Sequence, residues 1–293
     1  MTRLAWPSAA ALAAVLATSS FARAYCRSSV CAGGVEGKVC TPSEPDDCGT
    51  PLVWVEPCVG FTVQKDASVQ VPFSVAEQVL QTSVAAWTSA ACSNGTPSIE
   101  VDDLGRVSCD AVEYNQHAGN ANILIFRDKK WPYTGDVGAT DTIALTTVTY
   151  DTQNGHIYDA DIEVNTANYT FTTDGSPGTT DLQSVLTHES GHFLGLAHSS
   201  VNGATMFPYY AGGTDLRSLE TDDIEAICTV YPLDRQTEGK CTDLPRHGFA
   251  PECAADQTET RCAATPGETG PRWLVAAWSF AALAALGRRR RRA

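Results

Sequence analysis

The sequence predicts a mixed α+β domain, and three kinds of observation predict it. Some short stretches alternate apolar and polar residues with period two, as at Phe61-Thr62-Val63-Gln64. Longer ones space apolar residues three and four apart, as at Val75, Val79, Leu80, Val84 and Trp87. Loop residues separate the two kinds, as at Thr173 to Thr180 with Gly175, Pro177 and Gly178. Periodicity goes no further than this class.

Taken in order, Phe61 to Gln64 and Val69-Gln70-Val71 read as strand pieces. A helix follows over Val75 to Ala91, with Ser74 as N-cap and Glu77 three residues on. Ile99-Glu100-Val101, Ile123 to Phe126, Thr142 to Tyr150 and Asp159 to Val164 read as strands. Thr180-Asp181-Leu182-Gln183 has the form of a capping box and opens the next helix, and a last helix runs from about Glu220 to Thr229. Beyond Pro232 the chain reads as a polar, cysteine-containing linker. No internal repeat interrupts this order.

With 293 residues, the chain has room for one large domain or two ordinary ones, and 43% hydrophobic content supports a real core. It carries 34 acidic against 20 basic residues, a formal net charge of −14. Eight of the basic residues (Arg3, Arg23, Arg272 and Arg288 to Arg292) lie in the terminal segments, so residues 25–271 hold twelve against 34. That field repels phosphate backbones and argues against nucleic acid as a partner.

Both ends read as addresses. Arg3, the apolar run Ala9 to Ala17 and Ala22-Arg23-Ala24 form the pattern of a secretory signal peptide, cut after Ala24. At the other end, Trp273 to Gly287 is apolar and small, slightly short for a spanning helix, and five arginines follow it. The positive-inside rule keeps those arginines cytoplasmic and everything upstream outside. The sequence therefore divides into a signal peptide (1–24), a Cys-rich N-terminal segment (25–58), a main domain (59–235), a Cys-containing linker (236–265) and a tail (266–293).

Eleven cysteines behind a signal peptide point to an oxidising compartment. Setting Cys262 aside with the tail leaves ten, enough for five disulfides, and Cys92 with Cys109 and Cys241 with Cys253 are plausible local bridges. No Cys-x-x-Cys pair occurs, which disfavours a cysteine zinc ribbon.

The chemistry is concentrated in His188-Glu189-Ser190-Gly191-His192-Phe193-Leu194-Gly195-Leu196-Ala197-His198. His188 and His192 stand one helical turn apart on one face. Glu189 is placed to reach a water on a metal. Gly195 accepts positive φ at little cost, so the helix can stop there and return His198 as a third ligand. Three neutral imidazoles leave the fourth tetrahedral position of one Zn²⁺ open, as catalytic sites require. Half of the six histidines fall in these eleven residues, which makes solvated surface histidines an improbable reading; His117, His156 and His247 are read as surface. Carboxylates suit calcium, so Asp159, Asp161 or Glu163 could take Ca²⁺, or could simply form an acidic solvated surface.

This eleven-residue signature resembles that of the metzincin metalloproteases. Ser199 after the third histidine and Ala204-Thr205-Met206-Phe207-Pro208-Tyr209-Tyr210 sharpen the resemblance to the matrixin branch. It implies a Met-turn at Met206, a wall of the S1′ pocket at Pro208 and Tyr210, and a twisted mixed sheet with one antiparallel edge strand and about three helices. It extends over roughly Val59 to Pro232, taking in Ala86-Trp87 on the first helix and Leu219 to Ile224 on the last. The edge strand is then Ile143 to Thr146, with Ala144 and Leu145 pairing with a substrate by strand addition. Phe207 stands where matrixins commonly carry tyrosine, and the His-x-Asp of a second zinc site is missing. Cys48-Gly49-Thr50-Pro51 is only faintly similar to the cysteine-switch motif, and Cys48 is read as disulfide-bonded. Cys262, the Pro/Gly-rich spacer, the short apolar run and the arginines together resemble a myxobacterial C-terminal sorting signal.

Residues and resemblance imply an exported zinc endopeptidase of a Gram-negative bacterium, monomeric, secreted or surface-displayed. Its tail would sit transiently or permanently in the membrane. His188, His192 and His198 would bind zinc, Glu189 would act as general base, and a polypeptide would be the substrate. Two rival readings are a surface binding or adhesive protein with a non-catalytic zinc site, and a precursor that cleaves only its own N-terminal segment.

Overall fold

A computed structural model describes residues 25–30, 49–140 and 142–253. The expected signal peptide, Cys48, the sorting tail and its Cys262 lie outside the described residues. No helix among the described residues is long and apolar enough to cross a membrane.

The order of elements is β1 (Cys26–Arg27), β2 (Cys58–Gln64), α1 (Phe73–Thr88), β3 (Glu100–Val107), β4 (Ile123–Phe126), β5 (Ala144–Tyr150) and β6 (Ile157–Val164), followed by β7 (Phe171–Thr172), β8 (Thr180–Asp181), α2 (Leu182–Phe193), β9 (Leu196–Ala197) and α3 (Thr221–Val230). The central sheet has the order β3-β2-β4-β6-β5. Its neighbours run parallel except β5, which lies antiparallel to β6 at one edge with Leu145 opposite Glu163 and Thr146 opposite Ile162. The fold is α+β, as the sequence predicts, with a mixed sheet, one antiparallel edge strand and three α-helices among the described residues.

Two layers bury the sheet. Phe61, Val63, Leu124, Ala160, Ile162 and Val164 pack with Leu80, Val84 and Trp87 of α1 and Leu186 and Phe193 of α2. On the far side, Val107, Ile123 and Ile125 pack with Ala250 and Cys253. The expected polar linker beyond Pro232 thus runs back over the sheet as far as residue 253. Gly119 marks how closely it passes, because a Cβ there would lie 2.1 Å from the Phe249 carbonyl oxygen.

Several local expectations change. Val69 to Val71 form a bend, although they alternate: Asp128 takes the Val69 N–H at 2.8 Å and the Ser68 hydroxyl at 2.6 Å, so side chains satisfy what a ladder would have. Helix α1 starts at Phe73, with extended Pro72 as N-cap in place of Ser74. Proline presets the entry φ and lacks the N–H a helix start leaves unpaired anyway. At α2 the cap is Asp181, which accepts from Ser184 N at 2.8 Å; Thr180 belongs to the short strand β8. Helix α3 has a true capping box of Glu220 and Asp223.

The disulfides overturn both local pairings. Cys58 is bonded to Cys241, Cys92 to Cys228 and Cys109 to Cys253, across separations of 183, 136 and 144 residues. Cys26 is also disulfide-bonded. Each described bridge ties an early element to a late one, and proximity in sequence carries no information about that.

Candidate metal centre and active site

The first two histidines sit on α2. His188 and His192 rings stack edge to face with centroids 4.8 Å apart, as a spacing of four on one helix dictates. The helix ends at Phe193, Gly195 adopts φ +86°, and the turn returns His198 to them. The His198 Nε2 lies 3.2 Å from both His188 Nε2 and His192 Nε2. The Nδ1 atoms of His188 and His192 point the other way, onto the carbonyls of Thr205 (2.7 Å) and Leu196 (2.8 Å). Those carbonyls can only accept, so each Nδ1 carries the proton and each Nε2 presents its lone pair.

This donor set fits zinc. Ligands about 2.0–2.1 Å from a tetrahedral ion lie about 3.3 Å from one another, close to the observed spacing. Converging lone pairs would repel without a cation between them. Burial and the neighbouring imidazoles hold all three histidines down to about 4, so all are neutral and ready to ligate at neutral pH.

Glu189 is buried beside this cluster. Burial pushes its carboxyl above the ordinary range, and His192 and Thr146 pull against that shift. The Thr146 hydroxyl, on β5, donates to Glu189 Oε2 at 2.6 Å. Nothing in the sequence around Thr146 sets it apart from any strand threonine, and only the docking of β5 against α2 reveals it.

Met206 is 2% exposed and packs against α2 at Gly191, where an added Cβ would lie 2.2 Å from its Sδ. Its N–H and that of Thr205 donate to the two oxygens of Asp223 at 3.0 and 2.7 Å. One carboxylate therefore caps α3 and holds the turn whose Thr205 carbonyl orients His188. In sequence Asp223 is only one residue of the expected last helix.

The remaining expected site residues lie on β5 and in the loop after Met206. Ala144 and Leu145 are half-buried on the free edge of the sheet. Pro208 is exposed. The Tyr210 hydroxyl accepts from Asp181 N (3.0 Å) and donates to Gly213 O (2.7 Å), tying the loop after Met206 to the start of α2. Arg217 closes that loop from its far end by pairing with Asp181 at 2.5 Å.

The carboxylates considered for calcium are not a solvated surface. Asp159, Asp161 and Glu163 are all buried. Arg127 and Tyr133 occupy Glu163, and Asp161 accepts from Ile123 N at 3.0 Å. Glu163 and one oxygen of Asp161 are thus taken by protein partners, while Asp159 Oδ1 has none. Burial, with Glu163 beside it, pushes the Tyr133 phenol up to about 12.

Residues 95–232 match the family model described as matrixin. Metalloendoproteinase 5-MMP of Arabidopsis thaliana is 55% identical over 51 residues, 17% of this chain and 14% of that protein. Karilysin of Tannerella forsythia is 47% identical over 51 residues, 17% and 10% of the two chains. Neutrophil collagenase of Homo sapiens is 48% identical over 65 residues, 21% and 14%. The chain spans at most about a seventh of the length of these three relatives. The segment 95–232 is matrixin-like, in sequence as in fold.

Proposed function

We propose that this protein is an exported zinc-dependent endopeptidase. The observation that carries the proposal is the convergence of three Nε2 atoms, with the Nδ1 protons of His188 and His192 fixed on backbone carbonyls, beside a buried glutamate held by Thr146. His188, His192 and His198 would hold the ion. Zinc supplies Lewis acidity there and makes water reactive near neutral pH.

The chain's own residues do the rest. A polypeptide would lie antiparallel along β5, with the main chain of Ala144 and Leu145 giving hydrogen bonds that do not depend on substrate side chains. A substrate paired with an edge strand would run past it at both ends, which suits cleavage within a chain. Glu189 would take the proton of the attacking water and pass it to the departing amine, and its raised affinity for a proton suits a group that must hold one between the two steps. Pro208 and Tyr210 would wall the pocket for the first residue after the scissile bond. Long-range disulfides support an oxidising compartment and hence export, in line with the signal-like and sorting-like ends.

A purified, oxidised, zinc-loaded chain should cleave an unfolded protein substrate. Glu189→Ala should keep its zinc and lose at least about a hundredfold in turnover, the lower range for removing a general base. Equal cleavage by both would remove Glu189 from the mechanism. Zinc without cleavage in the parent would favour the binding-protein reading.

A further inference from the structure

The turn between the second and third histidines is built against the N-terminal stretch. The carbonyls of residues 190–192 are met within the turn by the N–H groups of Leu194 and Gly195, and the four that follow, 193–196, are taken by groups outside α2. Trp54 Nε1 donates to Phe193 O (2.8 Å), Tyr231 OH to Leu194 O (2.9 Å) and Ser28 N to Gly195 O (3.0 Å). The Ser28 hydroxyl donates to Leu196 O at 3.1 Å, the same carbonyl that receives the His192 Nδ1 proton at 2.8 Å. Strand β1 pairs with β9, Cys26 opposite Ala197 and Arg27 opposite Leu196, and His198 is the next residue.

This stretch is anchored independently of the site. Tyr25 is buried and its hydroxyl donates to Thr229 Oγ1 of α3 at 2.9 Å. Cys26 is disulfide-bonded, and Leu52 N donates to Ser28 O at 2.7 Å. Gly195 has no room for a side chain, because a Cβ would lie 2.8 Å from Leu52 O. The ligand-bearing turn and the N-terminal stretch thus fit each other along their backbones. Residues 26–28 lie along the main chain of residues 195–197, and residues 29 and 30 pair with residues 50 and 51.

We propose that residues 25–30 and 49–58 are a permanent collar that positions His192 and His198, with Ser28 as a positioning residue, and not a removable inhibitory segment. This rests on the reading of the three histidines as a zinc site. Strand β9 has only two residues and cannot fix itself, so β1 sets where the Leu196 carbonyl stands. That carbonyl in turn sets the tilt of the His192 ring and the return of His198. Ordering of ligands by such outer groups commonly governs metal affinity.

The test uses the whole oxidised chain as parent, Ser28→Ala and Ser28→Thr. Zinc affinity is read by competition with a chromophoric chelator, and ligand geometry by the visible absorption of the cobalt-loaded protein. Ser28→Ala should bind zinc about three- to tenfold more weakly, the equivalent of one ordinary hydrogen bond, with a changed cobalt spectrum. Ser28→Thr, which restores the hydroxyl, should return both to the parent values. Tyr25→Phe, which frees the outer anchor, should weaken zinc in the same sense. Unchanged affinity and spectrum in Ser28→Ala would overturn the proposal, and so would higher turnover at unchanged affinity, the mark of a released inhibitor. A parent that binds neither zinc nor cobalt would instead overturn the metal reading beneath it.

Discussion

As the proposed general base, Glu189 would have to keep one orientation while its protonation state changes, and a single residue would make that feasible. The Thr146 hydroxyl donates to Oε2 at 2.6 Å, and Thr146 sits on the strand along which the substrate would lie. The same β5 that would align the peptide would therefore align the base. Thr146→Val keeps the branched shape and the strand propensity but removes the donor. A hydrogen bond to a charged group is worth about 1.5–3 kcal/mol, so turnover should drop by about ten- to a hundredfold. KM and zinc content should stay put, because neither the strand's main chain nor the histidines are altered. Steady-state kinetics with metal analysis decides the matter, and a change in KM alone would assign Thr146 to binding instead.

Helix α2 works only as part of a stack with α1 and the turn at Met206. Gly191 stands at the centre of that stack, where an added Cβ would lie 2.2 Å from Met206 Sδ and 2.8 Å from Trp87 Cζ2. Two effects oppose each other in Gly191→Ala. Helix propensity favours alanine by about 1 kcal/mol. Overpacking a full core costs about 1–3 kcal/mol, and two colliding side chains put this site toward the upper end. The collision should win, giving a lower melting temperature and weaker zinc as the shifted Met206 disturbs the turn whose Thr205 carbonyl orients His188. A more stable Gly191→Ala protein would show that Met206 can move aside freely. At this scale the sequence was legible where one helix or strand speaks for itself. The spacing of His188, Glu189, His192, Gly195 and His198 set out the histidine triad and its turn, and the strand readings at 123–126 and 142–150 located β4 and β5. What it could not show depends on docking between distant elements: Thr146 against Glu189, Asp223 under the Met206 turn, the N-terminal stretch against β9, and all three long disulfides. Caps lay between the two cases. Asp181 was visible within the motif, but whether it or Thr180 closes the helix depended on β8.

Across the whole molecule, carboxylates with opposite environments set how stability responds to pH. Arg217 and the Ser184 N–H overcome the burial of Asp181 and hold it below the ordinary range, while Ser68, Thr166 and the Val69 N–H do the same for Asp128. Groups of that kind stabilise the fold above the unfolded carboxyl value and stop doing so as pH falls through their lowered values. Behind the sheet, Asp159 and Asp161 behave the other way. Burial raises Asp159 from 3.8 to about 7 and Asp161 well above its ordinary value, the two share a hydrogen bond, and Asp159 Oδ1 has no partner. The folded protein then keeps a proton here that the unfolded chain gives up near pH 4. Stability is fully retained below that point and drains as pH rises towards 7. The chain's net charge of −14 deepens the same trend, since further ionisation adds to an existing excess. Asp159→Asn removes one ionisable partner and leaves an amide that can donate to Asp161. It should match the parent near pH 4, where the pair is protonated anyway, and exceed it by about 2 kcal/mol at pH 8. Urea unfolding at pH 4, 6 and 8 measures this directly. Parallel stability curves for the two proteins would mean that the pair already ionises normally, and that the far face of the sheet admits more water than its packing against Ala250 and Cys253 implies.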